Sequence, residues 1–212
     1  MSVRARRAQE KEQRRASIID AAETVFFEKG IERSTMDDIA RAAQLSRGLL
    51  YVYFRDKAAI LGAVILRAGE RLRERFHEVA SRPLSGAEQI QAMGQAYYAF
   101  SLEEPDYFNL LTLAASDLPM SGDPEQDAAL EYCSGQVMQI MADTLRRGLA
   151  DGSLDARQIR DPFQSALYLR GALHGIIMLT HQEAGRDVPD SASSAALVAY
   201  AMDRLGASLM AH

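Results

Sequence analysis

The chain has 212 residues, of which 48% are hydrophobic and 25% charged, a composition typical of a folded globular protein and not of a disordered one. Its single cysteine, Cys133, excludes a disulfide framework and a thiolate zinc site and suits a reducing cytoplasm. No apolar stretch is long enough to span a bilayer, and the basic start does not match a secretory signal. The net charge of −5 is uneven, with +3 over residues 1–60 and −8 over residues 61–212. We therefore expect a basic amino-terminal domain that meets a polyanion.

Apolar residues recur at intervals of three and four along nearly the whole chain, which predicts an all-α fold. Glycine and proline divide this pattern into segments. The predicted helices are nine, at residues 10–29, 36–43, 46–53, 57–80, 86–103, 106–116, 125–150, 162–183 and 191–210. The first three would form a domain over residues 1–56, and the other six would form a second domain over residues 57–212.

The first predicted helix ends at Gly30, a residue type that tolerates the left-handed cap conformation. Thr35 and Ser46 are predicted to cap the second and third helices, and Asp38 would complete a capping box with Thr35. The residues predicted to face inward are Ile18, Ala21, Ala22, Val25, Phe26, Ile39, Ala43, Leu50 and Phe54. A long helix followed by two short helices around a tight turn is typical of a helix-turn-helix domain.

The third predicted helix would present Arg47, Gly48, Tyr51, Val52 and Tyr53 outward. Arginine can donate two hydrogen bonds to guanine, glycine lets a backbone approach closely, and tyrosine hydroxyls bond to phosphates. This combination predicts a helix that enters the major groove of DNA. A small helical bundle without a DNA-binding role is the alternative.

Residues 18–61 resemble, without a gap, the DNA-binding domain of the TetR family of bacterial transcriptional regulators. The ordered set that carries the resemblance is Ala21-Ala22, Phe26, Gly30, Thr35, Ile39-Ala40, Ala43, Ser46, Tyr51, Tyr53-Phe54 and Lys57. The resemblance implies that residues 46–53 form the recognition helix. It implies phosphate contacts from Thr35, Tyr53 and Lys57. The predicted DNA-binding set is Thr35, Ser46, Arg47, Gly48, Leu49, Tyr51, Val52, Tyr53 and Lys57.

Three residues depart from the family's pattern. Gln44 stands where glycine is common, and a left-handed conformation there would cost about 1–2 kcal/mol. Leu49 and Val52 stand where polar residues are common, and apolar side chains in the major groove can favour the thymine methyl group. The operator sequence therefore cannot be taken from relatives. The five arginines among the first 15 residues are either part of a disordered tail or an arm that lies on DNA.

In the second domain, aromatic residues and methionines cluster on the fifth to eighth predicted helices. Such clusters form either plain core or the wall of a cavity, and the family resemblance favours a cavity for a small, mostly apolar ligand between these four helices. The predicted wall is Met93, Tyr97, Phe100, Phe108, Met138, Met141, Tyr168, His174 and Met178. Tyr97, Tyr168 and His174 would supply its polar groups.

The eighth predicted helix is apolar on nearly every side between Leu167 and Leu179, so it has to be covered all round. The ninth carries an apolar stripe at Leu197, Ala201, Leu205 and Leu209. In the TetR family the last two helices pair with those of a second subunit. We therefore expect a homodimer through helices 8 and 9, with recognition helices about 34–36 Å apart on a palindromic operator of double-stranded DNA.

The chain carries no phosphate loop, nucleophile elbow or metalloprotease motif, and we expect neither an enzyme nor a cofactor. His174 and His181 share a helix face, but no third ligand has matching spacing, so we expect no metal site. Catalytic residues that converge only in space remain an alternative. So does an architectural or co-repressor protein that senses no ligand. The expected function is a repressor released by its ligand.

Overall fold

The computed structural model describes residues 3–116, 123–183 and 193–210, and these residues form helices without a strand. The helices are α1 (Val3–Lys29), α2 (Met36–Ala42), α3 (Arg47–Tyr53), α4 (Lys57–Ala80), α5 (Gly86–Glu103), α6 (Pro105–Ser116), α7 (Pro124–Ala150), α8 (Pro162–Glu183) and α9 (Ser194–Ala207). The predicted all-α fold is confirmed. Predicted residues 191 and 192 of the ninth helix lie outside the described residues.

Helix α1 is longer than predicted, because it begins at Val3 and not at residue 10. The added segment has no glycine or proline to break the helix, and Arg6 lies 2.8 Å from Glu10 in an ion pair one turn apart. Of the two alternatives for the amino-terminal arginines, a disordered tail does not hold for the described part of this segment, which is helical.

Residue contacts divide the chain into two compact units. Unit 1 comprises Met1–Ala68 and Asn109–Glu131, and unit 2 comprises Gly69–Phe108 and Tyr132–His212. This division rests on packing, whereas the boundary predicted after residue 56 rests on sequence pattern and stays a prediction.

The core of unit 1 is formed by the side chains that the helical spacing turns inward. Ile18 and Phe26 of α1 are buried together with Ile39 of α2 and Leu50 of α3. Phe54, which follows α3, is also buried. Truncation of such a side chain to alanine typically costs about 2–5 kcal/mol, so these residues set the orientation of the short helices.

Both predicted N-caps are present. The Thr35 hydroxyl accepts a hydrogen bond from the Asp38 amide, and the Asp38 carboxylate accepts one from the Thr35 amide, which completes the capping box. Lys29 donates to the same carboxylate at 2.5 Å, and this hydrogen bond is the largest cause that lowers the pKa of Asp38 to about 2. Ser46 caps α3 by accepting from the Leu49 amide at 3.2 Å.

The turn between α2 and α3 contains a left-handed residue that is not glycine. Gln44 has φ 56°, whereas Ala43 before it has φ −75°. The Leu45 amide then donates to the Ala40 carbonyl at 2.9 Å, which closes the end of α2. Gln44 therefore adopts the left-handed conformation considered for it from the sequence, and the helix-turn-helix carries the cost of that conformation.

Gln44→Gly should raise the free energy of unfolding by about 0.5–1 kcal/mol, because relief of the left-handed strain exceeds the entropy that glycine adds to the unfolded chain. Ala43→Gly is the matched control, since its right-handed backbone gains nothing from glycine and the substitution should destabilise the protein. Urea unfolding followed by circular dichroism measures both. A loss of stability in Gln44→Gly equal to that in the control would contradict the strain.

Unit 2 packs α5, α8 and α9 against one another. Phe100, Leu145, Ile177 and Val198 are fully buried in it. At one end α5 begins so close to the end of α7 that a Cβ on Gly86 would overlap the backbone of Gly148. The Asp151 carboxylate accepts a hydrogen bond from the Gly86 amide at 2.8 Å at the same point. This junction fixes the spacing of α5 and α7, which enclose the cavity described below.

Candidate nucleic-acid interface and ligand cavity

Helix α3 is held from one side and exposed on the other. Leu50 and Phe54 anchor it in the core of unit 1, while Leu49, Tyr51 and Val52 are exposed. Val52 is 71% exposed, although an apolar side chain of this size gains free energy from burial. Four of the five residues predicted to face outward are exposed, whereas Tyr53 is half-buried. The exposed face has the residue types that contact base edges and methyl groups.

The Arg47 guanidinium is held at the start of this face. Its Nη1 lies 3.2 Å from Oδ2 of Asp37 on α2, and its Nη2 donates to the Tyr51 hydroxyl at 3.4 Å. All three groups are exposed, so the ion pair with Asp37 contributes little to stability. The ion pair instead orients the Arg47 guanidinium, because it restrains a long side chain that would otherwise sample many rotamers.

Gly48 lies on the same exposed face. A Cβ built on Gly48 has no atom within 4 Å, so the glycine is not needed for packing within the protein. Glycine is a poorer helix former than alanine, so its presence in α3 does not favour the helix itself. This observation supports the prediction that the absent side chain matters to a partner.

The predicted phosphate-contacting residues lie at three different points of unit 1. Thr35 is exposed at the N-terminus of α2, and Tyr53 is half-buried at the end of α3. The Lys57 ammonium donates to the backbone carbonyls of Ile31 at 2.8 Å and Ser34 at 3.1 Å. Lys57 therefore joins the start of α4 to the connection between α1 and α2, and its phosphate contact stays a prediction.

One of the amino-terminal arginines has a role within the fold. The Arg15 guanidinium lies 4.2 Å from the centre of the Phe54 ring and donates to the Tyr53 carbonyl at 3.3 Å. It thus satisfies a carbonyl at the C-terminus of α3 and packs on the residue that anchors this helix. Arg4, Arg6, Arg7 and Arg14 are exposed along α1.

Gly48→Ala should leave the protein at least as stable as the parent, by up to about 1 kcal/mol, because alanine is the better helix former and its methyl group enters open space. The same methyl group should weaken operator binding at least tenfold if the α3 backbone approaches DNA closely. Thermal unfolding and fluorescence-anisotropy titration with duplex DNA measure the two effects separately. Unchanged operator affinity would place Gly48 away from the interface.

Unit 2 contains a cavity of about 180 Å³ with a predominantly apolar lining. Leu72 and Phe76 of α4, Ile90 of α5, Leu173 of α8 and Met202 of α9 belong to its wall. Helix α7 contributes as well, whereas no residue of α6 lines it. The expectation of a cavity between the fifth, sixth, seventh and eighth helices is therefore corrected: α4 and α9 replace α6, because α9 packs against both α5 and α8.

Of the predicted wall residues, Met93, Tyr97 and Met141 line this cavity. Four others lie in unit 2 without lining it: Phe100, Phe108 and Met138, which are buried, and Met178, which is half-buried. His174 also lies outside the lining but contacts Tyr97, as described below.

The structure corrects the prediction that Tyr168 belongs to the cavity wall, since this residue is 58% exposed and does not line the cavity. Its neighbour Leu169 does line the cavity, and one residue corresponds to a rotation of about 100° around the helix axis.

Tyr97 connects the cavity to an aromatic cluster. Its hydroxyl lies 2.9 Å from Nδ1 of His174, and the Phe108 ring lies 5.5 Å from Tyr97 and 5.4 Å from His174 between ring centres. Burial raises the pKa of Tyr97 to about 12, against the opposing effect of Arg170. Burial, with smaller effects of Arg170 and His181, lowers the pKa of His174. Both rings are therefore neutral at pH 7, and the hydrogen bond joins two uncharged groups.

The cavity-lining residues that the sequence does not predict include one cation, Arg170 of α8. The sequence did contain a signal, because Arg170 and His174 interrupt an otherwise apolar stretch between Leu167 and Leu179. The apolar pattern predicts only that this stretch packs against other helices. A helix that is apolar all round does not reveal which side its polar residues face.

Helix α8 presents a second apolar face to solvent. Leu167 and Leu179 are exposed on it, and a Cβ on Gly171 or Gly175 would meet no atom within 4 Å. These residues and Tyr168 recur at intervals of three and four, so they form one stripe, which we call the α8 stripe. It is the unpartnered side of α8 that the sequence predicts.

The apolar stripe predicted on the ninth helix does not lie at the surface. Ala201 and Leu209 are buried and Leu205 lines the cavity, because this side of α9 packs on α5 and α8. The exposed side of α9 instead carries Tyr200. A contact of α9 with another molecule would therefore use a different face from the one predicted.

Among the described residues, no helix has the length and apolar character needed to cross a membrane.

Comparisons with known proteins cover both halves of the chain. The model of the bacterial regulatory proteins of the TetR family matches residues 18–64, and that of the tetracyclin repressor-like C-terminal domain matches residues 90–205. The transcriptional regulator TtgR of Pseudomonas putida is 28% identical over 169 residues, which cover 72% of this chain and 76% of the relative. The transcriptional repressor BepR of Brucella suis is 44% identical over 54 residues, 26% of each chain.

Two solved structures resemble the whole fold. A TetR/AcrR transcriptional regulator from Thermobifida fusca is 26% identical with a TM-score of 0.68, over 92% of this chain and 97% of the other. The regulator FadR from Bacillus subtilis, solved with stearoyl-CoA, is 18% identical with a TM-score of 0.71, over 92% and 98% of the two chains. At this identity the second likeness concerns the fold alone.

Proposed function

Because the chain belongs to the TetR family of bacterial regulatory proteins, we propose that it is a homodimeric repressor that leaves its operator when a small, mostly apolar ligand binds in unit 2. The members of this family are transcriptional regulators and not enzymes, so the alternative of an enzyme is excluded. The observation that carries the proposal is the face of α3 on which Arg47, Gly48, Tyr51 and Val52 are exposed together.

The proposed reading of DNA follows from this face. Arg47 would donate two hydrogen bonds to a guanine, Val52 would contact a thymine methyl group, and Tyr53 would bond to a phosphate. Base contacts select a sequence, whereas phosphate contacts strengthen binding to every sequence. Substitutions of the two kinds should therefore differ in what they change.

Arg47→Ala should weaken binding to the operator by about 1–3 kcal/mol and reduce discrimination against other duplexes, because it removes a base contact. Tyr53→Phe is the control for a phosphate contact and should weaken all duplexes alike. Anisotropy titrations with an operator selected from a random pool and with a scrambled duplex measure both effects. Equal losses on both duplexes in Arg47→Ala would contradict a base contact.

A second subunit is the proposed cover of the α8 stripe. Soluble monomers rarely expose a contiguous apolar patch, and the two glycines in the stripe let another helix approach to backbone distance. The proposed partner face combines this stripe with the side of α9 that carries Tyr200. A twofold axis through this interface would present two α3 helices to a palindromic operator.

Leu179→Glu should convert the dimer to monomers at micromolar concentration and abolish operator binding with it, because two unpaired carboxylates would be buried at the interface. Leu179 is 50% exposed, so the substitution spares the core of its own subunit. Leu102→Glu on α5, at a comparably exposed leucine, is the matched control and should remain a dimer. Analytical ultracentrifugation decides, and a parent protein that sediments as a monomer would overturn the proposed dimer.

A ligand in the cavity could act on α4. Leu72 and Phe76 of α4 belong to the cavity wall, and the first residue of the same helix is Lys57, whose ammonium binds the connection between α1 and α2. Ligand binding would release the operator only if the ligand prefers the conformation that does not bind DNA, and the operator would then weaken ligand binding by the same factor. The cavity favours this function over that of an architectural protein without a ligand.

A further inference from the structure

Arg170 lines the cavity, and its surroundings differ from those of two other half-buried arginines. Arg67, with 24% of its side chain exposed, pairs with Asp20 and Glu23, and Arg75, with 28% exposed, pairs with Glu103 and Glu104. Arg170 is also half-buried, yet no carboxylate of the described residues lies within 4.0 Å of it. A half-buried guanidinium without a counter-ion loses hydration that no opposite charge offsets.

Two neutral groups of the described residues interact with Arg170. Its Nη1 lies 3.5 Å from the Met138 sulfur, a weak acceptor, and the Tyr97 hydroxyl also interacts with it. Asp203 also lines the cavity, but its carboxylate binds Arg204 at 2.6 Å and is largely exposed, so it does not neutralise Arg170. Most of the five N–H donors of Arg170 therefore remain available to a bound group.

Among the described residues that line the cavity, Arg170 is the one cation, and the wall around it is predominantly apolar. One planar guanidinium matches one carboxylate through two parallel hydrogen bonds, whereas a phosphate dianion would leave a second charge without a partner. An apolar cavity of roughly 150 Å³ holds one benzene molecule, and this cavity measures about 180 Å³.

We propose that the cavity binds an amphipathic monocarboxylate whose carboxylate is held by Arg170, with the Tyr97 hydroxyl beside it, and whose apolar body is the size of one ring or a six-carbon chain. The proposed binding of the carboxylate is argued from the cavity alone, whereas the effect of this ligand on operator binding rests on the proposed function. The proposal replaces the general expectation of an apolar ligand with one that carries a single negative charge at a defined end.

Two sets of probes with matched carbon bodies test the charge: hexanoate, 1-hexanol and hexylamine, and benzoate, benzyl alcohol and benzylamine. Calorimetric titration of the full-length parent protein at pH 7 should show each carboxylate binding at least tenfold more tightly than its alcohol and its amine, because a hydrogen-bonded charge pair adds to the same apolar contact. The thermal midpoint should rise in the same order. Failure of both carboxylates to bind at about 10 mM, or equal binding of acid and alcohol, would overturn the proposal.

Three variants assign the effect to Arg170. Arg170→Met keeps the length and apolar stem and should lower carboxylate affinity at least tenfold while leaving alcohol binding within about twofold. Arg170→Lys keeps the charge without the planar fork and should retain a preference for the carboxylate over the amine. Arg146→Met removes an exposed charge from α7 of the same unit and should change nothing. Equal losses in Arg146→Met and Arg170→Met would overturn the assignment, and circular dichroism shows that each variant is folded.

Operator titration in the presence of hexanoate or benzoate separates the two proposals. Carboxylate binding that depends on Arg170 but leaves operator affinity unchanged supports the anion site and contradicts the effector role. Release of the operator by the alcohols as readily as by the acids supports the effector role and overturns the anion site.

Discussion

Burial of Leu50 and Phe54 is the constraint on which the DNA-binding half of the chain depends. A helix of seven residues is not stable by itself in water, so α3 exists because two side chains anchor it and Ser46 caps it. The anchoring also decides which residues face outward, since a helix that buries one side has to expose the other. Arg15 reinforces this anchor by packing on the Phe54 ring. The exposed face of α3 is thus a consequence of how its opposite face is packed.

Unit 1 uses its charges to fix positions more than to add stability. Lys29 binds Asp38 at the start of α2, Asp37 next to it binds Arg47, and Lys57 binds backbone carbonyls between α1 and α2. Exposed ion pairs contribute about 1 kcal/mol or less. These interactions therefore act mainly by fixing positions, because each restrains a side chain or a helix end next to the face that would meet DNA. The left-handed conformation of Gln44 also fixes geometry without adding stability, since it keeps the turn tight at a conformational cost.

The arginines of unit 2 lie in two different environments. Where arginines of α4 approach the end of α5, two carboxylates from Glu103 and Glu104 receive them, as expected for structural ion pairs. On α8 the guanidinium of Arg170 reaches a thioether and a phenol instead. The two arrangements lie within one unit and differ only in whether the chain supplies the counter-ion. The proposed carboxylate ligand would supply the negative charge that the described residues do not place beside Arg170.

The helices, their caps and the inward residues of unit 1 followed from the sequence alone, because spacing of three and four, Thr35, Ser46 and Gly30 are local signals that tertiary contacts reinforced. The direction of α3 followed for the same reason, whereas the family followed from the resemblance of residues 18–61. Spacing could not decide the faces of α8, where Tyr168 and Leu169 are neighbours in an apolar stretch and packing alone sends one to solvent and one to the cavity. Nor could it place Leu205 of α9 in the cavity wall, or reveal that no carboxylate of the described residues pairs with Arg170, because a counter-ion distant in sequence is brought close or kept away only by the fold.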